Sequence, residues 1–510
     1  MSTHQARGGT PIETALSSLS SDRLLGFLEQ QRWFGAKAAA GARASIGSHL
    51  VMPWGDGAFA IARVVVESTG ETRTYQVPLA TRDNPPTSVP DVAVVERGEA
   101  GGKSVTIYDA LLDSDFRRGL VHAVITSGTI ASQGEQKLTV DRFMNHVHWN
   151  EAQTTLAGAE QSNTSIIVDD AAILKLYRLL TPGVHPDVEV GRFLTTRAKF
   201  ENTPALLATL LLEGDHDSIV AGVVQEYLPE STDAWSYALD RGRSYFAAPA
   251  DREDANAFID DATRLGAVTR ALHGALASDD HDPDFAAEAA EPEDLDRWAH
   301  RTQQSVRDAL AVLERRVTLP SFPKDHVAEA QALVKRRDHY LGWINEIADQ
   351  LGDDLGMRTR THGDYHLGQV LRARSGEFMV IDFEGEPARS LAERREKTSP
   401  LRDVAGMLRS IAYAAATLAM TVGRSAAPHV RELRAARWER DVRSAFLSSY
   451  FATSEDEAIL PDSLANATQL VTLFETEKAF YELSYELNNR PAWVWIPMRG
   501  ISKLFVASGR

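Results

Sequence analysis

The spacing of apolar residues changes along the chain, and the changes mark its predicted elements. Beyond a polar tail at residues 1–12, Leu16, Leu19, Leu24, Leu25 and Leu28 recur at helical spacing, and Gln31-Arg32-Trp33-Phe34-Gly35 closes that helix. The pattern then becomes strand-like, with an apolar run at residues 59–66 and alternation at residues 72–79. The Pro-rich stretch at residues 83–91 reads as a linker and sets a first domain boundary near residue 90.

Short strands predominate from residue 93 to residue 230, with a helical interruption at residues 110–124. A small-residue turn at residues 158–165 leads into Ile166-Ile167-Val168, an Asp169-Asp170 turn, and a second strand containing Lys175. Val223-Val224-Gln225-Glu226-Tyr227-Leu228-Pro229 runs as an apolar strand into a polar break. Further on, residues 254–277, 295–315 and 326–351 show 3.6-residue spacing and predict helices. The acidic, Pro-interrupted residues 278–295 read as a solvated insertion, with His281 at the surface. Residues 411–423 are apolar but short and rich in small side chains, which predicts a buried helix rather than a membrane span.

Composition narrows the function classes. A chain of 510 residues exceeds one ordinary core, so two or three packed units are expected. With 54 Lys plus Arg against 71 Asp plus Glu, the formal charge of -17 disfavours a nucleic-acid or anionic-membrane surface. Cysteine is absent, which removes disulfides, thiolate catalysis and Cys-based metal centres and fits a cytoplasmic setting. No apolar core of a secretory signal stands at the N-terminus.

Candidate chemistry concentrates in Thr361-His362-Gly363-Asp364-Tyr365-His366-Leu367-Gly368-Gln369-Val370 and in Ile381-Asp382-Phe383-Glu384-Gly385-Glu386-Pro387. A carboxylate, an amide five residues later and a second carboxylate after a short hairpin are what nucleotide-dependent phosphoryl transfer needs. Asp364 is the candidate base, able to take the proton of an attacking hydroxyl. Gln369 and Asp382, with Glu384 assisting, are candidate Mg²⁺ ligands, a sparse set that suits this cation. Zinc on His362 and His366 is disfavoured by the intervening Gly363 and the lack of an HExxH glutamate.

Upstream, Lys175 interrupts an apolar strand, and Glu189 follows near the start of a helix opened by Pro186. One reading is a solvated Lys on an edge strand and an unrelated Glu. The order of turn, strand, Lys, helix and Glu instead favours Glu189 holding Lys175 against the ATP phosphates. Ser162, Asn163, Thr164 and Ser165 would bring hydroxyls and backbone N–H groups to the same phosphates, and Gln225 and Tyr227 lie where a hinge would meet adenine. A glycosidase carboxylate pair would leave Lys175 and Glu189 without a purpose. Near the C-terminus, Lys478, Tyr481 and Tyr485 fall on neighbouring turns of a predicted helix with Glu482 and Glu486, a mixture suited to a sugar or to plain helix packing.

The motifs HGDYHLGQVL, IDFEGEP and SPLRDVAGMLRSIAYAA, with QRWFGAK at residues 31–37, EQSNTS at 160–165, LKLYR at 174–178 and EKAFYELSYELNNRPAWVWIP at 477–497, resemble bacterial maltokinases. These are relatives of aminoglycoside phosphotransferases within the protein-kinase-like fold. The resemblance implies an α+β, bilobal protein-kinase-like chain: an N-terminal cap at residues 1–90, a strand-rich lobe at 91–228 and a largely helical lobe at 229–510. It implies ATP and Mg²⁺ as cofactors and Asp403 as a brace of the catalytic loop. It adds His366, Lys478, Tyr481, Tyr485, Arg490 and Trp493 as sugar contacts. The implied reaction is phosphorylation of maltose at its anomeric hydroxyl, feeding α-glucan synthesis from trehalose, with trehalose synthase as a possible partner. A glucosamine, other sugar or aminoglycoside kinase of the same architecture fits the same catalytic centre, and a silent nucleotide-binding scaffold for trehalose synthase is the alternative from another class.

Overall fold

The computed structural model describes residues 10–34, 41–100, 103–133, 136–143, 149–150, 153–158, 162–214, 218–247, 258–386, 389–422, 427–452 and 459–507. Gly35 to Lys37 of QRWFGAK, Glu160 and Gln161 of EQSNTS, and Pro387 of IDFEGEP lie outside them. The chain divides into two units, Met1–Arg192 with Pro204–Pro229, and Phe193–Thr203 with Glu230–Arg510.

The first unit opens with two helices where the leucine spacing predicts one, α1 (Pro11–Leu16) and α2 (Ser21–Leu28). Serines cause the break. Ser17 and Ser18 donate their hydroxyls back to the Glu13 and Ala15 carbonyls, and Ser20 then caps the second helix at the Arg23 N–H. Strands β1 (Arg43–Val51), β2 (Phe59–Ser68), β3 (Glu71–Arg82), β4 (Val94–Ala100) and β5 (Lys103–Asp109) form an antiparallel sheet in the order β1-β2-β3-β5-β4. The Pro-rich residues 83–91 therefore connect two strands of one sheet. Helix α3 (Ser114–Thr126) follows, capped by Asp113.

A seven-stranded sheet completes this unit. It uses β6 (Thr129–Gln133), β7 (Gln136–Arg142), β8 (Thr154–Leu156), β9 (Asn163–Val168), β10 (Ala172–Tyr177), β12 (Leu206–Glu213) and β13 (Ser218–Glu226), in the order β6-β7-β12-β13-β10-β9-β8. The short β11 (Leu179–Leu180) pairs instead with β3. The β9–β10 hairpin turns on Asp169 and Asp170, at φ 52° and 48°, the left-handed pair that matches strand twist in a two-residue turn. Helix α4 (Pro186–Phe193) comes next.

The second unit is mostly helical. It contains β14 (Thr232–Asp233), α5 (Ala234–Ala247), α6 (Ile259–Ala275), β15 (Glu288–Ala289), α7 (Pro292–Arg316), α8 (Val327–Lys335), α9 (Arg337–Leu351) and β16 (Met357–Arg358). It continues through β17 (Val370–Arg372), β18 (Phe378–Val380), α10 (Leu391–Arg394), α11 (Leu401–Thr421), α12 (Pro428–Tyr450), α13 (Leu464–Asn489) and α14 (Trp495–Ala507). The helix expected at 326–351 is two, because Arg336 leaves helical geometry at φ -91°, ψ 10°. The acidic residues 278–295 are not simply solvated. Phe285 is buried and stacks on Phe193 with ring centroids 3.6 Å apart and Glu288 takes the Lys397 ammonium at 2.6 Å, while His281, as expected, and most of its acidic neighbours stay exposed. Among the described residues α11 is the one helix long and apolar enough to cross a membrane; it packs here against α5, α12 and α13 and carries the buried Asp403 and Arg409.

Candidate active site

In the second unit the segment between β16 and β17 has almost no regular structure, so side chains must fix its backbone. The Asp403 carboxylate, near the start of α11, accepts the His362 N–H at 2.7 Å and the Gly363 N–H at 3.0 Å. His362 donates from Nε2 to the Ile381 carbonyl at 2.9 Å, which leaves Nδ1 to accept the Asp364 N–H at 3.3 Å. Thr269 on α6 gives its hydroxyl hydrogen to the Leu265 carbonyl, so the Tyr365 hydroxyl is the donor in their 2.9 Å bond. Ser410 on α11 accepts the Leu367 N–H at 3.1 Å. The loop is thus pinned on both sides of Asp364 while that side chain itself stays partly open.

Asp364 meets a cation from a distant part of the chain. Lys478 Nζ, on α13, lies 3.2 Å from Asp364 Oδ1 and 3.9 Å from Glu386 Oε1. His366 Nε2 is 3.9 Å from Asp364 Oδ2, and His366 Nδ1 accepts the Gly368 N–H. Burial pushes the Asp364 carboxyl up, but Lys478, His366 and His362 outweigh it and leave it below the ordinary carboxylate value. Burial similarly pulls Lys478 down, yet Asp364, Glu386 and Glu482 hold it above its usual value, so the ammonium keeps its proton. Burial lowers the His366 imidazole despite the nearby Asp364. Tyr481, beside Lys478 and Glu386, is pushed up to about 12 by burial and by the Glu386 charge.

Beyond the loop, the Gln369 side-chain amide donates to Asp382 Oδ2 at 2.9 Å, and Asp382 sits at φ 67° after β18. That left-handed backbone is uncommon outside glycine and turns the carboxylate back toward Gln369. Glu384 accepts at its backbone carbonyl from Arg394 at 3.3 Å. A cavity of about 690 Å³ opens on Asp364, Lys478, Tyr481, Glu386, Arg389 and Trp298. Its remaining lining is rich in charge of both signs, paired across helices, as in Arg402 with Glu477. Trp298 and Arg389 belong to no motif and were missed from sequence; Glu386 was visible only as a neighbour of Glu384.

Of the expected sugar residues, His366 stands beside Asp364 but is not in the cavity lining, and the other five separate into two groups. Lys478 and Tyr481 line the cavity with Asp364. Tyr485, Arg490 and Trp493 are not in that lining and form a stack of their own, with the Arg490 guanidinium 5.4 Å from one ring and 5.3 Å from the other and anchored on Glu486.

The candidate nucleotide residues lie in the first unit. Lys175 is on β10, an internal strand, so the edge-strand alternative does not hold. Its cross-strand partner is Ser165. Asp187 Oδ2, on the same helix as Glu189, lies 4.0 Å from Lys175 Nζ and accepts the Tyr177 hydroxyl at 2.7 Å, a partner that no sequence motif pointed to. Asn163 is buried at the start of β9, Ser162 precedes it, and the Thr164 hydroxyl accepts from Arg178 at 2.9 Å. Gln225 faces Ile173 across β10 and β13, and the Tyr227 N–H donates to the Ala171 carbonyl.

Comparison with known proteins bears on both units. Residues 27–113 match the maltokinase N-terminal cap domain. A solved glucosamine kinase in complex with glucosamine, ADP and inorganic phosphate superimposes with a TM-score of 0.64 at 21% identity, over 97% of this chain and 99% of that one. The chain has a kinase-like fold bearing a maltokinase-type cap. In sequence it is 29% identical over 426 residues to the glucosamine kinase of Mycolicibacterium smegmatis (strain ATCC 700084 / mc(2)155), covering 81% of this chain and 92% of that relative. To the glucosamine kinase of Streptacidiphilus jiangxiensis it is 27% identical over 353 residues, 68% of this chain and 72% of the relative. The α+β, bilobal, kinase-like architecture with a cap and a helical C-terminal region, expected from the motifs, is the one observed.

Proposed function

We propose that this protein is an ATP-dependent sugar kinase in which Asp364 is the general base. The observation that carries the reading is a partly open carboxylate, held ionised beside Lys478 at 3.2 Å, on a loop fixed by Asp403 and facing a cavity large enough for a sugar. Asp364 would take the proton of the acceptor hydroxyl as that oxygen attacks the γ-phosphorus, and positioning does most of the remaining work. Lys175, with Asp187 and Glu189 on α4, is the group proposed to hold the ATP phosphates; Ser162, Asn163, Thr164, Ser165, Gln225 and Tyr227 are its proposed neighbours at the nucleotide.

Mg²⁺ fits the Gln369 and Asp382 pair. Gln369 would offer its amide oxygen and Asp382 its carboxylate, two side chains already joined by the hydrogen bond from the Gln369 amide nitrogen to Asp382 Oδ2, and among the described residues no three His, Asp or Glu side chains cluster as a protein-only metal cage. Magnesium ordinarily keeps most of its shell for phosphate and water. When bound it neutralises phosphate charge; Gln369 and Asp382 would hold it, with Glu384 close by.

Two acceptors are supported by different observations. Maltose, giving maltose 1-phosphate, is favoured by the cap match and by the C-terminal motif around Lys478 and Tyr481, and a trehalose synthase partner goes with that reading alone. Glucosamine is favoured by relatives of that name that span most of the chain, whereas the cap match ends at residue 113. The balance falls to glucosamine. ADP release with Mg²⁺ and ATP, measured against glucosamine, maltose, glucose and kanamycin, tests it: turnover on glucosamine above the others supports the reading, turnover on maltose alone restores the maltokinase, and none with any acceptor points to a silent scaffold.

A further inference from the structure

We propose that Lys478 is the positioning residue of the catalytic base: its ammonium occupies Asp364 Oδ1 and so assigns Oδ2 to the acceptor hydroxyl. This rests on the kinase reading and deepens it, because the motif resemblance made Lys478 a sugar contact and left the choice of oxygen open. Between Thr361 and Val370 the loop carries histidines but no lysine or arginine, so it supplies no permanent cation to its own carboxylate. The cation comes from α13, at 3.2 Å from Oδ1, while Oδ2 among the described residues faces His366 at 3.9 Å.

The helix that delivers Lys478 is held in register. Arg443 grips Glu475 with two hydrogen bonds of 2.7 and 2.9 Å, Arg402 holds Glu477, and the buried Arg409 holds Glu482 at 3.0 and 2.7 Å. These pairs bracket Lys478 within two helical turns, and the two-bond pairs Arg443–Glu475 and Arg409–Glu482 fix geometry as well as charge. Glu386 at 3.9 Å and the Tyr481 ring, its centroid 5.0 Å from Nζ, complete the surroundings of the ammonium. A lysine placed this way loses little freedom when substrate arrives.

In the reaction the acceptor O–H proton passes to Asp364 Oδ2, the acceptor oxygen bonds the γ-phosphorus, and the bond from that phosphorus to the β,γ-bridging oxygen breaks with its electron pair leaving on ADP. Asp364 then returns the proton to solvent. Lys478 stays protonated throughout and keeps the carboxylate ionised until the transfer. The charged and titratable groups around Asp364 are His362 and His366 on its own loop, Lys478 from α13, and Glu386 acting through Lys478.

The test compares Lys478→Gln and Lys478→Arg with the unaltered full chain. The acid limb of the pH profile for ADP release should move to higher pH in Lys478→Gln, with kcat down about tenfold or more, and return toward its original position in Lys478→Arg. In parallel, carbon-13 NMR titration of the Asp364 carboxyl, assigned with Asp364→Asn, reads the same effect without turnover. An upward shift in Lys478→Gln supports the proposal even if no acceptor is turned over, in which case only the kinase reading fails. An unmoved Asp364 titration, or a rise in acceptor KM with kcat and pH profile intact, overturns it.

Discussion

The Asp403 carboxylate and the His362 backbone are joined by a 2.7 Å hydrogen bond, and the same carboxylate takes Gly363 at 3.0 Å and faces the buried His273 at 3.3 Å. One side chain thereby fixes two peptide groups just ahead of Asp364, the proposed base. Asp403→Ala leaves the buried His362 N–H without its acceptor, and the more exposed Gly363 N–H to water, and is expected to destabilise the chain by about 1–3 kcal/mol, read as a lower urea midpoint. Turnover should fall further than the unfolded fraction explains.

This carboxylate also predicts an acid limit. Burial raises Asp403, but His273 and the loop N–H of His362 overrule it and hold it below its ordinary value. A carboxyl depressed in the folded state contributes stability above its unfolded value of about 4 and loses it as pH falls through the folded value. Urea titrations stepped downward from pH 5 should show stability falling, and the Asp403→Asn chain should lose less over the same interval.

Gly406 supplies a steric counterpart. A Cβ there would stand 2.6 Å from the Tyr365 carbonyl oxygen, closer than backbone contacts permit. Gly406→Ala is expected to push α11 away from the loop, at a cost of about 1–3 kcal/mol, and to lower kcat with little change in KM for ATP. Steady-state kinetics beside thermal unfolding separate the two effects.

In the first unit Arg178 is almost fully buried, bonded to Asp109 at 2.6 Å and Thr164 at 2.9 Å and lying 4.7 Å from the Trp33 ring centroid. Arg178→Met removes the cation paired with Asp109 and strands a buried charge, so a loss of about 3–5 kcal/mol is expected. Arg178→Met combined with Asp109→Asn should recover part of it. Calorimetry on both chains checks this.

Lys175→Met tests the nucleotide half. It should raise KM for ATP and lower kcat by more than any loss of folded protein explains; some loss of stability is also expected, because the change removes a cation 4.0 Å from the buried Asp187. Asp187→Asn should produce a weaker form of the same kinetic change.

The fold was legible where the signal was local. Alternation and the Asp169-Asp170 turn gave β9 and β10, and long 3.6-residue spacing gave α7 and α13. Short-range hydrogen bonding that periodicity does not register was lost, as at Ser17 to Ser20, where serines end one helix and cap another. Within the site, Asp364, Gln369 and Asp382 stand in two compact motifs and were readable by spacing. The Lys478 contact with Asp364 spans 114 residues and exists only once α13 is packed, so sequence yielded the residue without its partner. Tyr485, Arg490 and Trp493 shared a motif with Lys478 but not its cavity, because a helix carries neighbouring turns away from any one point.

The most direct measurement is acceptor-dependent ADP release by the full chain and by Asp364→Asn, with unfolding followed on both. The amide keeps the size of the side chain and removes its basicity. The account predicts sugar-dependent turnover that falls by about 10²–10⁴ in Asp364→Asn with folding intact. Equal turnover by the two chains would contradict it.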